Sequence, residues 1–262
     1  MDLQLGGKVA IVTGASRGIG LAIAQALTRE GVHVIGAARG ITDELKHASE
    51  LAVSADLSTP EGAQGVVGAA IAKFGGIDIL INNVGAGDAN QLKLGGFLDV
   101  DDEQWRSLFD VNLFAAVWAS RAALPSLVER RGTLINIGSI NARVPSTGPV
   151  GYSEAKAALV AFSKRLSEEF GPHGVRVNTV SPGPVGTGLW CDPEGFGSTV
   201  AAASGLTHDD FLVAMPEMFG IAGGRMVEAE EVAALITFMA SPNASSLIGA
   251  DIVIDGGTIK TS

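Results

Sequence analysis

Lys8-Val9-Ala10-Ile11-Val12, Thr13-Gly14-Ala15-Ser16-Arg17-Gly18-Ile19-Gly20 and Leu21-Ala22-Ile23-Ala24-Gln25-Ala26-Leu27 follow one another without a break near the start of the chain. The first run is apolar and β-branched, as a strand buried on both faces requires, and the last is amphipathic like a helix. Between them, Gly14 permits a sharp turn. Gly18 and Gly20 leave room for a pyrophosphate beside the helix start, where free N–H groups and the dipole favour anions. Glycines at this spacing are a weak sign alone, but set between a strand and a helix they predict a dinucleotide site. An ordinary glycine-rich turn is the plainer alternative.

The same alternation continues outward. Apolar runs at 9–12, 32–35, 77–81, 133–137, 175–180 and 252–254 read as strands, and Val53-Ser54-Ala55-Asp56-Leu57 ends a further one at Asp56. Stretches rich in Ala, Leu and Glu at 18–30, 61–74, 102–128, 152–170 and 228–240 read as helices. Repeated strand and helix imply right-handed crossovers and an open parallel sheet covered on both faces, the doubly wound α/β class, with one domain spanning 1–262. Two segments break the rhythm. Residues 85–101 predict a loop at the carboxyl edge of the sheet, and residues 186–225 predict a lid.

The lid carries Leu189, Trp190, Val200, Phe211, Leu212, Met215, Met218, Phe219 and Ile221, enough apolar surface to cover a hydrophobic substrate or to build the core of small helices. Its acids, Asp192, Glu194, Asp209, Asp210 and Glu217, face one cation, Arg225, so an acidic substrate finds little attraction there.

Composition narrows the function classes. The 262 residues are 47% hydrophobic and 18% charged, with a net charge of −10, which argues against a nucleic-acid partner. No charge-free apolar run reaches the ~20 residues of a membrane span, and the N-terminus lacks a secretory pattern. A soluble, cytoplasmic protein is expected. The single cysteine, Cys191, permits no internal disulfide, and no companion Cys/His cluster suggests a metal site.

A second strand in an NAD-preferring site usually ends in Asp or Glu, which accepts from the ribose hydroxyls. Here Ala38 stands at that point with Arg39 beside it. Arg39 and Arg17 are suited to a 2′-phosphate through charge-assisted contacts, so NADP(H) is expected, with NAD(H) the alternative and solvated surface arginines the plain one. Asp56 is placed to accept from the adenine amino group, or to cap the helix after Pro60.

Tyr152-Ser153-Glu154-Ala155-Lys156 opens a long helix, and a spacing of four puts Tyr152 and Lys156 on one face. A nearby ammonium favours the phenolate of a tyrosine, making it useful as an acid/base near neutrality. Tyr152 is also the sole tyrosine. Ser139, ending the run Leu134-Ile135-Asn136-Ile137-Gly138-Ser139, is placed to donate to a carbonyl oxygen, or to serve as a turn hydroxyl.

Taken together these positions resemble the classical short-chain dehydrogenase/reductase family over essentially the whole chain. Asn82-Asn83-Val84-Gly85 is similar to the family's Asn-Asn-Ala-Gly motif, and Ser181-Pro182-Gly183-Pro184-Val185-Gly186-Thr187 to its Pro-Gly segment. Asn112, in Asp110-Val111-Asn112-Leu113, matches the family's helix asparagine. The resemblance implies a single Rossmann-like domain with a mostly or wholly parallel seven-stranded sheet, and a tetrad of Asn112, Ser139, Tyr152 and Lys156. It implies a cofactor site of Gly14, Ser16, Arg17, Gly18, Ile19, Gly20, Arg39, Asp56, Leu57, Asn83, Gly85, Tyr152, Lys156, Pro182, Gly183, Val185 and Thr187.

The activity so implied is hydride transfer between a nicotinamide and a small, apolar ketone or secondary alcohol, as in a carbonyl reductase. A homotetramer is implied too, with a dimer as the alternative. The short 40–50 segment departs from the family by shortening the second helix. Rival readings are a 3-oxoacyl-carrier-protein reductase, a non-catalytic dinucleotide sensor, and a cofactor-free lyase, though the last resembles this chain with Arg in place of Lys156.

Overall fold

The computed structural model describes residues 2–85 and 92–260. Seven strands form one sheet: β1 (Val9–Thr13), β2 (His33–Ala38), β3 (Leu51–Ser54), β4 (Ile79–Asn82), β5 (Thr133–Ile137), β6 (Arg176–Pro182) and β7 (Asp251–Ile254). All neighbours pair in parallel, in the order β3-β2-β1-β4-β5-β6-β7. Parallel neighbours need long crossovers, and helices supply them. These are α1 (Gly18–Arg29), α2 (Asp43–Ala48), α3 (Pro60–Phe74), α4 (Asp102–Phe109), α5 (Ala115–Arg130), α6 (Tyr152–Phe170), α7 (Gly188–Cys191), α8 (Phe196–Ala203), α9 (His208–Met218) and α10 (Ala229–Ala240). Strand order reverses between β1 and β4, so a crevice opens at the carboxyl ends there.

Alternation along the strands divides the core in two. Ala10, Val12, Val34, Ile79, Ile81, Ile135 and Val180 face Ile23 and Leu27 of α1 and Ile236 and Met239 of α10. Their neighbours Val9, Ile11, Ile35, Leu80, Leu134 and Val177 face Val66 and Ala70 of α3 and Ala119 and Leu127 of α5. Such two-sided burial explains the near-continuous apolar runs.

Strand β2 runs three residues beyond its apolar run, to Ala38, the end that the cofactor reading gives it. Its extension, Gly36-Ala37-Ala38, carries little side-chain pattern because space is short: a Cβ on Gly36 would lie 2.4 Å from Leu45 Cδ1. Likewise β3 stops at Ser54, so Asp56 lies two residues past the strand. The stretch expected as one helix at 102–128 is α4 and α5 joined by a π turn, Asp110–Phe114. This helical run is long and apolar enough to cross a membrane, but half of its apolar window is buried within the protein, as in a core helix.

At the far end of the sheet Arg176, half-buried, closes the end of α10. Its Nη1 donates to Met239 O (2.8 Å) and Ala244 O (3.1 Å), and its Nη2 to Ala240 O (3.1 Å) and Ser241 O (3.2 Å). Arg176→Met should orphan these carbonyls and remove a cation from a helix C-terminus, costing about 2 kcal/mol in urea unfolding. A variant of unchanged midpoint would show that water replaces the guanidinium without loss.

Candidate active site

A crevice of about 800 Å³ lies over the carboxyl ends of the strands, and every residue expected to hold a dinucleotide lines it. The glycine turn is built as the sequence requires. Gly14 and Gly18 have φ of 65° and 55°, and a Cβ on Gly20 would lie 2.3 Å from Gly14 O. Asn83 ties this turn to β4: its Nδ2 donates to Thr13 O (2.9 Å) and Gly14 O (3.1 Å). Thr13 Oγ1 accepts from the Asn83 and Val84 amides at 2.9 and 3.1 Å. No side chain caps the first turn of α1 and no acid occupies it, so its N–H groups present positive potential to the crevice. That cradle, which side chains at these glycines would fill, fits the diphosphate of a dinucleotide.

At the other end of the cradle, β2 delivers Ala38 and Arg39 to the lining, with no carboxylate at Ala38. Thr42 caps α2 by accepting from Leu45 N (3.2 Å) and donates to Ser16 O (3.3 Å), while Ser54 Oγ donates to Arg39 O (2.9 Å). These bonds hold the two arginine-bearing loops together. Asp56 Oδ1 accepts from Ser58 N (3.0 Å) and Ser58 Oγ (2.7 Å). Those bonds, with a smaller pull from Arg39, hold its carboxyl below the usual range. Thr59, not Asp56, caps α3, which leaves Asp56 to the crevice.

The four residues of the expected tetrad converge from three elements. Ser139 follows β5 and caps a short 3-10 turn, Ile140–Ala142, accepting from Asn141 N (3.1 Å) and donating to Asn141 Oδ1 (3.2 Å). Asn141 Nδ2 donates in turn to Thr147 Oγ1 at 2.9 Å. Tyr152 is the first residue of α6. The Gly151 amide before it donates to the Glu154 carboxylate at 2.6 Å, and Gly151 itself has φ of 83°. Lys156 Nζ lies 5.8 Å from the Tyr152 ring centre and donates to Ile137 O at 2.8 Å.

Asn112 sits in the π turn with Nδ2 donating to Leu108 O (2.9 Å), buried beneath the lining rather than on it. A Cβ on Gly85 would lie 3.1 Å from Asn112 Oδ1 and 3.3 Å from Lys156 Nζ, so Gly85 lets these groups approach. Burial governs the acid-base character here. It pulls the Lys156 ammonium down to about 8 and pushes the Tyr152 hydroxyl up, a rise partly offset by a hydrogen bond with Ser139.

Past β6, Gly183 N donates to Ile254 O (2.9 Å), and a Cβ on Gly183 would lie 2.6 Å from Asp255 Cβ. Val185 pairs with Val227, and Thr187 meets Gly18: a Cβ there would lie 3.4 Å from the Thr187 methyl. The Pro-Gly segment therefore closes on the glycine turn. Residues 186–225 then form α7, α8 and α9. Of the nine apolar residues named above, Leu189 and Trp190 line the crevice, while Phe211 and Met215 are fully buried among the small helices. The segment thus contributes both to the crevice wall and to a core of small helices.

Trp190 is fixed by Phe196, Phe211 and Phe219, with ring centres 5.7, 6.4 and 5.6 Å away, and its carbonyl by His208 Nε2 at 2.7 Å. Thr42, Val84 and Val111 also line the crevice, with no role assigned to them from the sequence, and so does Asp192 of the lid acids. Asn141 was missed too, although its place two residues after Ser139 suggested a turn partner.

The family described as enoyl-(acyl carrier protein) reductase matches residues 14–258. A 3-oxoacyl-[acyl-carrier-protein] reductase of Vibrio cholerae is 32% identical over 261 residues, covering 97% of this chain and 98% of that one. A 2,3-dihydroxy-2,3-dihydro-p-cumate dehydrogenase of Pseudomonas putida is 35% identical over 266 residues, covering 98% and 96%. Among solved structures, the L-sorbose reductase of Gluconobacter frateurii, complexed with NADPH and L-sorbose, superposes with a TM-score of 0.90 at 33% identity, covering 100% of both chains.

Proposed function

This chain belongs to the short-chain dehydrogenase/reductase family of oxidoreductases, and we propose that it is an NADPH-dependent reductase of a small, uncharged ketone, reversible toward the secondary alcohol. One observation carries this reading. Ser139, Tyr152 and Lys156 line a crevice that also offers Arg17 and Arg39, beside Ala38 at the position where an NAD site would place a carboxylate. The NADPH held by the L-sorbose reductase adds support.

In this reading the residues of the glycine turn, Asn83 and Gly85, and the strip Pro182, Gly183, Val185 and Thr187 hold the cofactor, with Asp56 and Leu57 at its adenine. When bound, NADPH supplies the hydride equivalent for the carbonyl carbon. Ser139 Oγ donates to the carbonyl oxygen, meeting negative charge as it develops there. Tyr152 donates its hydroxyl proton to that oxygen, and burial suits it by keeping the phenol protonated across neutral pH. Lys156 would hold the cofactor ribose and stabilise the phenolate that remains. Asn112 holds the helix turn against which Lys156 packs.

Residues 186–225 serve as the substrate cover of a single domain. Leu189 and Trp190 present apolar walls, and Asp192 is the acid of this strip that lines the crevice. Arg225 is already paired with Glu231 at 2.7 and 2.8 Å, so the cover lacks a spare cation for an acidic carrier. A 3-oxoacyl-carrier-protein substrate remains the second reading, favoured by the Vibrio cholerae relative. Self-association fits an apolar groove of about 490 Å³ between α5 and α6, walled by Val117, Leu124, Phe162 and Phe170.

Two experiments test the reading. NADPH should quench Trp190 fluorescence at lower concentration than NADH, and Arg39→Ala should weaken NADPH about 10- to 100-fold, the worth of a charge-assisted contact, while leaving NADH unchanged. A wild-type preference for NADH would overturn the arginine pocket. Consumption of NADPH against a panel of L-sorbose, simple alkyl ketones and the anionic acetoacetyl-coenzyme A should favour the uncharged ketones. Turnover of none would remove the reductase assignment.

A further inference from the structure

Arg143, Asp251 and Ser181 form a network that the proposed reaction does not use, and none of the three lines the crevice. The short turn capped by Ser139 ends at Arg143. From there the guanidinium crosses to the edge strand β7: Nη2 lies 3.0 Å from Asp251 Oδ2 and 3.0 Å from Asp251 O, and Nε lies 3.3 Å from Oδ2. The remaining carboxylate oxygen, Oδ1, accepts from Ser181 Oγ at 2.6 Å.

Ser181 is fully buried and lies under the residue before Ser139. A Cβ on Gly138 would sit 2.6 Å from Ser181 Oγ, and the Gly138 amide donates to Val180 O at 2.7 Å. One carboxylate, its side chain 17% exposed, therefore bonds Arg143 at the end of the Ser139 turn and the Ser181 hydroxyl that lies against Gly138. A planar guanidinium bound at two nitrogens fixes direction as well as distance, so this link constrains the turn more tightly than a single flexible bond would.

We propose that Asp251 is a positioning residue for Ser139, fixing the Ser139 hydroxyl against Tyr152 through Ser181 and Gly138 on one side and through Arg143 on the other. The proposal rests on Ser139 acting in the reaction as read above. Its test does not require the substrate, because Tyr152 is the sole tyrosine. Protein labelled with carbon-13 at the tyrosine ζ carbon gives one resonance from the chain, sensitive to the hydrogen bond at the hydroxyl.

Ser139→Ala should shift that resonance at neutral pH. Asp251→Ala should shift it in the same direction, and should add nothing further in the Ser139→Ala background. Arg143→Met and Ser181→Ala should each give part of the shift. With any ketone that is turned over, Asp251→Ala should lower kcat about tenfold, with KM nearly unchanged and NADPH binding intact, and the loss should vanish when Ser139 is already alanine. Should Asp251→Ala fail to fold, Asp251→Asn keeps the volume while removing the charge facing Arg143, and carries the same expectations with Arg143→Met.

A resonance left at its wild-type position, or an equal shift with and without Ser139, would overturn the link. Failure of the reductase reading is distinguishable, because turnover would then be absent from the wild type while the resonance still reports on the link.

Discussion

Tyr152→Phe is expected to lower kcat about a thousandfold, the loss typical when a positioned proton donor is removed, while leaving NADPH affinity within about twofold. The substitution removes one oxygen and keeps the ring, which packs at the start of α6 against the cluster of Leu92, Leu108 and Phe196. The backbone around it is held independently, through the Gly151 amide and the Glu154 carboxylate. A folding defect should therefore not confuse the result. Steady-state rates with a ketone, paired with a Trp190 fluorescence titration, separate chemistry from binding. Turnover preserved within tenfold would reassign the proton donor. Loss of NADPH binding would show that the hydroxyl contributes mainly to holding the cofactor.

Local patterns made the sheet and the glycine turn legible. Strands buried on both faces leave apolar runs, and a turn that excludes Cβ at Gly20 must be spelled in glycine. Tyr152 and Lys156 were legible because four residues on a helix always share a face. Their electrostatics were not, since the upward push on the phenol and the downward pull on the ammonium come from burial, which no spacing reports. The end of β2 falls outside its apolar run because packing against Leu45 leaves no room for a side chain at Gly36.

Distance in sequence hid the rest. Arg143 and Asp251 are 108 positions apart, and each reads as an ordinary surface charge until the β6–β7 pairing brings them together. Trp190 is similar: its rings are arranged by α8 and α9, whose weak periodicity reflects short helices that pack mainly on one another.

Lys156→Met should be inactive yet more stable than the native chain at pH 7, by about 1–2 kcal/mol in urea unfolding. Lys156 is 3% exposed, and its ammonium donates to the Ile137 carbonyl. Burial holds it at about 8 instead of 10.5. Near pH 7 the buried charge thus costs on the order of 3 kcal/mol at 1.36 kcal/mol per pKa unit. Methionine keeps the volume and removes that cost, while leaving Ile137 O without a donor returns about 1 kcal/mol.

The sign with pH follows from proton binding. Below about 8 the lysine is charged in both folded and unfolded chains and the cost is constant. From about 8 to 10.5 the unfolded chain holds a proton that the folded one has lost, so native stability rises with pH, and the advantage of the methionine variant shrinks. Unfolding curves at pH 7 and pH 10 check both statements. A methionine variant less stable at pH 7 would mean that the ammonium is better solvated than its burial implies. A stable but inactive variant would instead identify Lys156 as a place where the fold gives up stability to keep a charge beside Tyr152.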